Sequence, residues 1–551
     1  MVRIKDLSRP TNPRSIWLLP LLLMVALFLV GCGDGGSTTP SSIGGGGGGG
    51  GPLTIDISGK VTDSTDTPVI GALVKLFLVP APAPAKAMAQ VGQVYQDTTD
   101  QNGDYEFTEL PAGLYRMEVE APGQLPWGTD LDLREGGEVV QDAQLWPPTG
   151  QVAVFQSWAS DLVAGDTDDG YSDIYLAQAG GGIVKISNTP EGQNAEDSGF
   201  PVMSDSTRFI VFESLGQLVP EDQNNAVDVY RFDRETGALT CLTADPDFHK
   251  GYCGLGDTNP FTSGDGQITV FEWQSGEYED KRIFMHDART GEITQVSVAL
   301  TEDGVPNGCS KRPVISAFGR YIAFDSWATN LVPDQDPDDN YRNIFVYDRL
   351  TGTTVRASLG PNSESPDDCS QWPSISADGN LVAFRSNATN LLADPSPSGM
   401  IYVRDMATKT TTMVSVDNDG NPAADYCYRP VISGNGRYVA FYTGAALVPE
   451  DTNDHFDVYI RDLQEGTTTL VSQNAEGTNS GDNDSGIPVL SFDGAFALFT
   501  TYATDLIPGG APTTYAQVYV RDLLNGLNAL VSSTPANAPG NEDSCTRDTR
   551  N

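Results

Sequence analysis

A phenylalanine closing a short apolar run recurs at Phe155, Phe212, Phe271, Phe324, Phe384, Phe441 and Phe499. The successive gaps are 57, 59, 53, 60, 57 and 58 residues. Seven copies at a near-constant period demand a repeat architecture, because each unit must bury its apolar faces against its neighbours.

The fourth copy shows what one unit contains. Pro313-Val314-Ile315-Ser316 is a short strand, Ala317-Phe318-Gly319 a turn, and Arg320-Tyr321-Ile322-Ala323-Phe324 a second strand. A longer loop through Asn330-Leu331-Val332-Pro333 leads to Ile344-Phe345-Val346-Tyr347-Asp348. A turn at Leu350-Thr351-Gly352 and a last strand from Thr353 to Ala357 complete the unit. Four antiparallel strands per repeat predict one propeller blade. Glycines in Ala377-Asp378-Gly379-Asn380, Phe492-Asp493-Gly494 and Arg289-Thr290-Gly291 supply the positive φ that tight turns need. These residues, with the endings Tyr459-Ile460-Arg461-Asp462 and Tyr519-Val520-Arg521-Asp522, resemble TolB-like propeller repeats from about Gly150 to Ser533. Proteins with such repeats include binding scaffolds, peptidase gating domains and a few lyases, so the resemblance implies a fold and leaves the function open. Copy one starts directly at Gln151 with no Pro-x-x-Ser strand before it, while Cys545 sits at the offset seen before other first strands. The C-terminal tail is therefore expected to supply the missing inner strand.

Ahead of the repeats, residues 53–148 alternate with period two in short runs bounded by Gly, Pro and Asp, which is a strand signal. Four stretches resemble the carboxypeptidase regulatory-like domain, a transthyretin-like β-sandwich. They are Ser58-Gly59-Lys60-Val61-Thr62-Asp63, Pro68 to Val74, Thr99 to Tyr105, and Leu110-Pro111-Ala112-Gly113-Leu114-Tyr115. A Pro- and Ala-rich insertion from Pro80 to Val94 departs from that pattern and is expected to form a projecting loop. The resemblance implies a spacer or adhesion module without an active site. The expected fold class is all-β: a small sandwich, then a propeller of about seven four-stranded blades over residues 149–551.

Residues 1–32 begin with Arg3, Lys5, Arg9 and Arg14, continue with an apolar run from Ile16 to Val30 and end at Gly31-Cys32. That order is a secretory signal. The run is short for the roughly 20 residues of a spanning helix. Leu29-Val30-Gly31-Cys32 resembles the lipobox of bacterial lipoproteins, which implies lipidation at Cys32 and attachment to a membrane through the lipid. Residues 33–52 (GDGGSTTPSSIGGGGGGGGP) cannot build a core and read as a tether. Gly33 rather than Asp follows Cys32, which favours outer membrane or cell surface over inner membrane.

The chain holds 32 basic and 74 acidic residues, net −42; the leader removes four basic residues and one acidic, leaving −45. Such a surface repels nucleic acid and anionic headgroups. Only three histidines occur, His249, His286 and His455, in separate repeats or linkers, and no Gly-x-Ser-x-Gly elbow is present. The expectation is a non-catalytic binding or adhesion scaffold for a protein or polysaccharide ligand. The alternatives are a periplasmic envelope-complex partner and, further off, a propeller-type polysaccharide lyase.

Acidic loops recur between second and third strands. They comprise Asp166, Asp168 and Asp173; Asp222, Asn224 and Asp228; Asp336 and Asp338; and Asp451, Asn453 and Asp457. Alternating oxygen ligands suit Ca²⁺, which takes six to eight oxygens, so these residues are candidate metal ligands; Asp and Asn capping their own turns is the competing explanation. Strand direction places these loops on one propeller face together with Cys253, Cys309, Cys369 and Cys427, and that face is expected to be negative and to carry the binding site. Six cysteines besides Cys32 are compatible with disulfides in an exported protein, and Cys241 with Cys253 is the expected local pair.

Overall fold

Every recurrent phenylalanine lies in the second strand of a four-stranded antiparallel sheet, directly opposite an aromatic residue of the third strand. The pairs are Phe155–Tyr175, Phe212–Tyr230, Phe271–Phe284, Phe324–Phe345, Phe384–Tyr402, Phe441–Tyr459 and Phe499–Tyr519, with ring centroids 5.7 to 6.5 Å apart. All seven phenylalanines are fully buried. Such a pair contributes about 0.5–1.5 kcal/mol beyond its area burial, which accounts for the period surviving where neighbouring residues change. The computed structural model describes residues 54–63, 66–79, 94–121, 127–133, 137–140, 143–145, 152–164, 166, 170–178, 182–188, 196–224, 226–244, 258–274, 281–333, 335 and 341–546. The leader, Cys32, the tether and the insertion at 80–93 lie outside them.

Blade four consists of Ser310–Ile315, Tyr321–Ser326, Asn343–Asp348 and Thr353–Arg356, hydrogen-bonded in chain order. Blades two, three, five, six and seven follow the same order. First strands touch those of adjacent blades, as Ser370–Ile375 does with Ser310–Ile315 and with Cys427–Ile432, so first strands encircle the axis and fourth strands form the rim. The turn glycines also serve blade packing: Gly379 has φ +75°, and a Cβ there would lie 2.1 Å from the Tyr321 ring of the preceding blade.

Blade one is completed from the far end of the chain, as the sequence anticipates. Ser544–Cys545 pairs antiparallel with Val152–Ser157, with Ser544 opposite Ser157 and Cys545 opposite Gln156. Side chains reinforce the join. The Ser157 and Ser544 hydroxyls lie 2.7 Å apart, and the Asn541 backbone N–H donates to Asp161 at 3.0 Å.

A hydroxyl residue stands two positions after the end of every fourth strand. Ser187, Thr243, Ser297, Ser358, Ser415, Ser472 and Ser532 each accept a backbone N–H from the third strand of their own blade, at 3.0 to 3.1 Å.

The N-terminal unit has two sheets. One orders Asp104–Pro111, Thr54–Asp63 and Gly137–Val140, with Ala143–Leu145 also on Thr54–Asp63; the other orders Val94–Thr98, Leu73–Val79, Gly113–Glu120 and Trp127–Leu133. Alternate residues such as Ile55, Ile57, Val74, Leu76, Tyr115, Met117 and Val119 form its core. Its hairpin turn is held by Asp100, whose carboxylate accepts the N–H groups of Asn102 and Asp104.

Candidate functional site

The loops between second and third strands do share a face with the segments entering the next blade. Arg342 N–H donates to the Cys369 sulfur at 3.4 Å, the Asn453 amide to the Gly481 carbonyl at 2.7 Å, and the His455 ring lies 3.0 Å from Asp484. The acids of these loops, however, turn into their own blades. In blade one, Tyr175 donates to Asp166 at 2.5 Å, Ser187 donates to Asp173 at 2.6 Å, and the Lys185 ammonium bridges both carboxylates at 3.2 and 2.6 Å. In blade two, Tyr230 donates to Asp222 and Thr243 to Asp228, while the Asn224 side-chain amide closes on Asp228 at 2.9 Å. In blade six, Tyr459 donates to Asp451 and Ser472 to Asp457. Asp173, Asp222, Asp228, Asp451 and Asp457 are all buried. The negative surface expected of them is therefore internal, where each carboxylate ties the loop to the third or fourth strand.

Burial, opposed by the Ser472 hydrogen bond and reinforced by repulsion from Asp451, pushes the Asp457 carboxyl up to about 7. Burial likewise pushes Asp173 up to about 6 against the pull of Lys185 and Ser187. Among the described residues no three His, Cys, Asp or Glu side chains converge as a metal centre. Asp168, Asp336 and Asp338 lie outside them.

Nearer the axis a second pattern appears. Inner strands of blades two, four, five, six and seven carry a register shift, and the residue there has positive φ: Phe200, Arg312, Trp372, Arg429 and Ile487. Each precedes a proline. A bulge of this kind re-aims a side chain. The residue following each landmark phenylalanine belongs to the same zone and is Gln156, Glu213, Glu272, Asp325, Arg385, Tyr442 or Thr500. Several of these fix the next blade: Glu272 accepts the Arg312 backbone N–H at 2.8 Å, Asp325 that of Trp372 at 3.3 Å, and Thr500 that of Thr546 at 3.0 Å.

Across blades four to six these two sets of positions gather cations and rings. The guanidinium carbons of Arg312, Arg385 and Arg429 lie 5.6, 5.6 and 5.9 Å from the Trp372 ring centroid. Arg385 also lies 5.5 Å from the Tyr426 ring and 5.3 Å from that of Tyr428. Tyr428 stacks on Tyr442 at 5.3 Å, and Phe456 meets both edge-on. Arg312 pairs with Asp325 at 3.2 Å, and Arg342 approaches the same carboxylate at 3.5 Å. Arg385 is different. Only 7% of it is exposed, its Nε donates to the Cys427 carbonyl at 2.9 Å, and among the described residues no carboxylate lies within ion-pair distance. Burial lowers its pKa, yet a guanidinium stays charged in proteins. The result is a cationic, aromatic seat with exposed edges at Tyr426 and Phe456.

Sequence reading missed this seat because its members come from three different repeats. A usable signal was present: the position before the inner-strand proline and the position after the landmark phenylalanine change character between copies while their surroundings repeat. His286 and His455 stand on different blades; His249 lies outside the described residues. Cys241 carries a free thiol in this structure, and Cys253, its expected partner, lies outside the described residues.

Residues 56–145 match the carboxypeptidase regulatory-like domain family. No curated protein matches the chain. Among solved structures it is similar to TolB from Acinetobacter baumannii (13% identity, 64% of this chain and 75% of that one, TM-score 0.35). It is similar also to an oligogalacturonate lyase in complex with manganese (13% identity, 78% and 94%, TM-score 0.40). A third is the β-propeller domain of the Trilobed protease from Pyrococcus furiosus (10% identity, 70% and 96%, TM-score 0.42). Residues 56–145 thus form a carboxypeptidase regulatory-like domain, and the seven four-stranded sheets after it, with the first completed by the C-terminal strand, are a β-propeller.

Proposed function

We propose that this chain is an exported, lipid-anchored, non-catalytic binding scaffold whose propeller takes an acidic polysaccharide at the arginine–aromatic seat. The observation that carries this reading is Arg385, a guanidinium nine-tenths buried, ringed by Trp372, Tyr426 and Tyr428, with no carboxylate at ion-pair distance among the described residues. A planar guanidinium offers a fork that fits a carboxylate or sulfate, and flat aromatic faces suit the apolar face of a sugar ring. Arginine with tyrosine and tryptophan is also the composition of strong binding centres. The chain's net charge of −42 opposes a polyanion at long range, so selection of an anionic ligand falls to the local cations of the seat.

The test is titration of the protein with oligomers of a uronic acid and with the matching neutral sugar. Binding of the acidic oligomer alone, weakened at least about tenfold in Arg385→Gln and in Trp372→Ala, is expected; a tenfold loss corresponds to about 1.4 kcal/mol. Equal binding by wild type and both variants would discard the seat. Anchoring through Cys32 and display at the outer membrane or cell surface belong to the same proposal. Labelling of the cell-grown protein by a palmitate analogue should vanish in Cys32→Ser, and protease added to intact cells should degrade the wild type.

A further inference from the structure

We infer that blade six binds a calcium-type cation between Asp451 and Asp457, at the place that the Lys185 ammonium fills in blade one. Cross-strand register makes the comparison atom by atom. Lys185 stands opposite Tyr175, and Leu470 stands opposite Tyr459 at the equivalent point of the fourth strand. In blade one all four carboxylate oxygens are met. Asp166 Oδ2 takes the tyrosine, Asp173 Oδ1 takes the serine, and Asp166 Oδ1 and Asp173 Oδ2 share the lysine.

Blade six repeats the tyrosine and serine contacts on Asp451 Oδ2 and Asp457 Oδ1. Asp451 Oδ1 receives only a 3.4 Å contact from the Asn453 backbone. Asp457 Oδ2, the counterpart of the oxygen that Lys185 holds at 2.6 Å, is buried without a hydrogen-bond partner. Two buried carboxylates on one side of a leucine cannot both keep their charge without a cation.

Blades two, four, five and seven meet the same position with residues of the chain. Blade two turns the Asn224 amide onto Asp228, whereas the corresponding Asn453 amide donates to Ser480 and Gly481. In blades four, five and seven the equivalent of Asp457 is uncharged: Asn343, Met400 and Gln517. Among blades two, four, five, six and seven, only two and six keep both acids, with no lysine beside them, and in blade six the Asn453 amide, which also bears on Asp457, is shared with Ser480 and Gly481. The nearby groups are hard oxygens, namely the two carboxylates and the Tyr459 hydroxyl, and the His455 ring is turned to Asp484. Oxygen donors favour Ca²⁺ over softer metals.

Melting of the full chain in calcium chloride and in chelator, together with calorimetric titration by calcium, tests the assignment. Wild type should bind calcium and melt about 3 °C higher at a hundredfold excess over its Kd. Asp457→Asn should lose that shift. Leu470→Lys, which transplants the blade-one solution, should lose the calcium response while melting in chelator as high as wild type does in calcium. Equal melting of wild type in calcium and chelator, or a full calcium shift retained by Asp457→Asn, would overturn the site; should Leu470→Lys fail to fold, the Asp457→Asn result decides alone.

Discussion

Blade one and blade six share a register, an aromatic pair and an acid pair, and they differ in two ways. Blade one takes its inner strand from the C-terminus, whereas blade six is contiguous in sequence. Blade one neutralises its carboxylates with Lys185, whereas blade six places Leu470 at that point. The backbone plan and the charge balance are thus encoded separately: the repeat fixes hydrogen-bond ladders and ring stacking, and single positions decide how each buried carboxylate is satisfied.

The largest effect should come from deleting residues 540–551, which removes the inner strand of blade one and its clasp to Ser157 and Asp161. A loss above about 4 kcal/mol, or a split calorimetric transition, is expected; an unchanged melting curve would mean that blade one does not need closure. Next comes Lys185→Met, which puts blade one in the electrostatic position of blade six. Removing one partner of a buried ion pair costs about 3–5 kcal/mol, measured by urea unfolding, and a cost below about 1 kcal/mol would break the comparison.

Smaller changes sharpen it within single blades. Tyr230→Phe leaves a buried Asp222 oxygen without its donor and should cost about 1–3 kcal/mol. Tyr519 holds the same place in blade seven, yet its hydroxyl is buried with no partner, so Tyr519→Phe should stay within about 0.5 kcal/mol of wild type. Equal losses for the two tyrosines would show that ring packing rather than the acid bond sets their value.

How the acids are used was only partly legible. The spacing of Asp166, Asp222 and Asp451 ahead of Tyr175, Tyr230 and Tyr459 is visible in the chain, and it reads equally as a cation loop or as a turn. The structure adds where those carboxylates point: each reaches a tyrosine hydroxyl of its own blade. The Cys241–Cys253 expectation rested on an even cysteine count in an exported chain and on proximity in sequence, neither of which carries information about the direction of a side chain.

By itself the sequence determined the strands, the count of seven blades, the turn positions and the closure by the C-terminal strand. Those properties follow from local alternation, glycine at positive φ and a missing first strand, all of which are written along the chain. The arginine–aromatic seat was decided only by tertiary structure. Arg312, Trp372, Arg385 and Arg429 belong to three blades, and no local rule brings them together. Ring closure sets the neighbours, and the inner-strand bulges set the aim of three of the four. The same holds for Asp457, whose unmet oxygen becomes evident only when Leu470 is seen where blade one has Lys185.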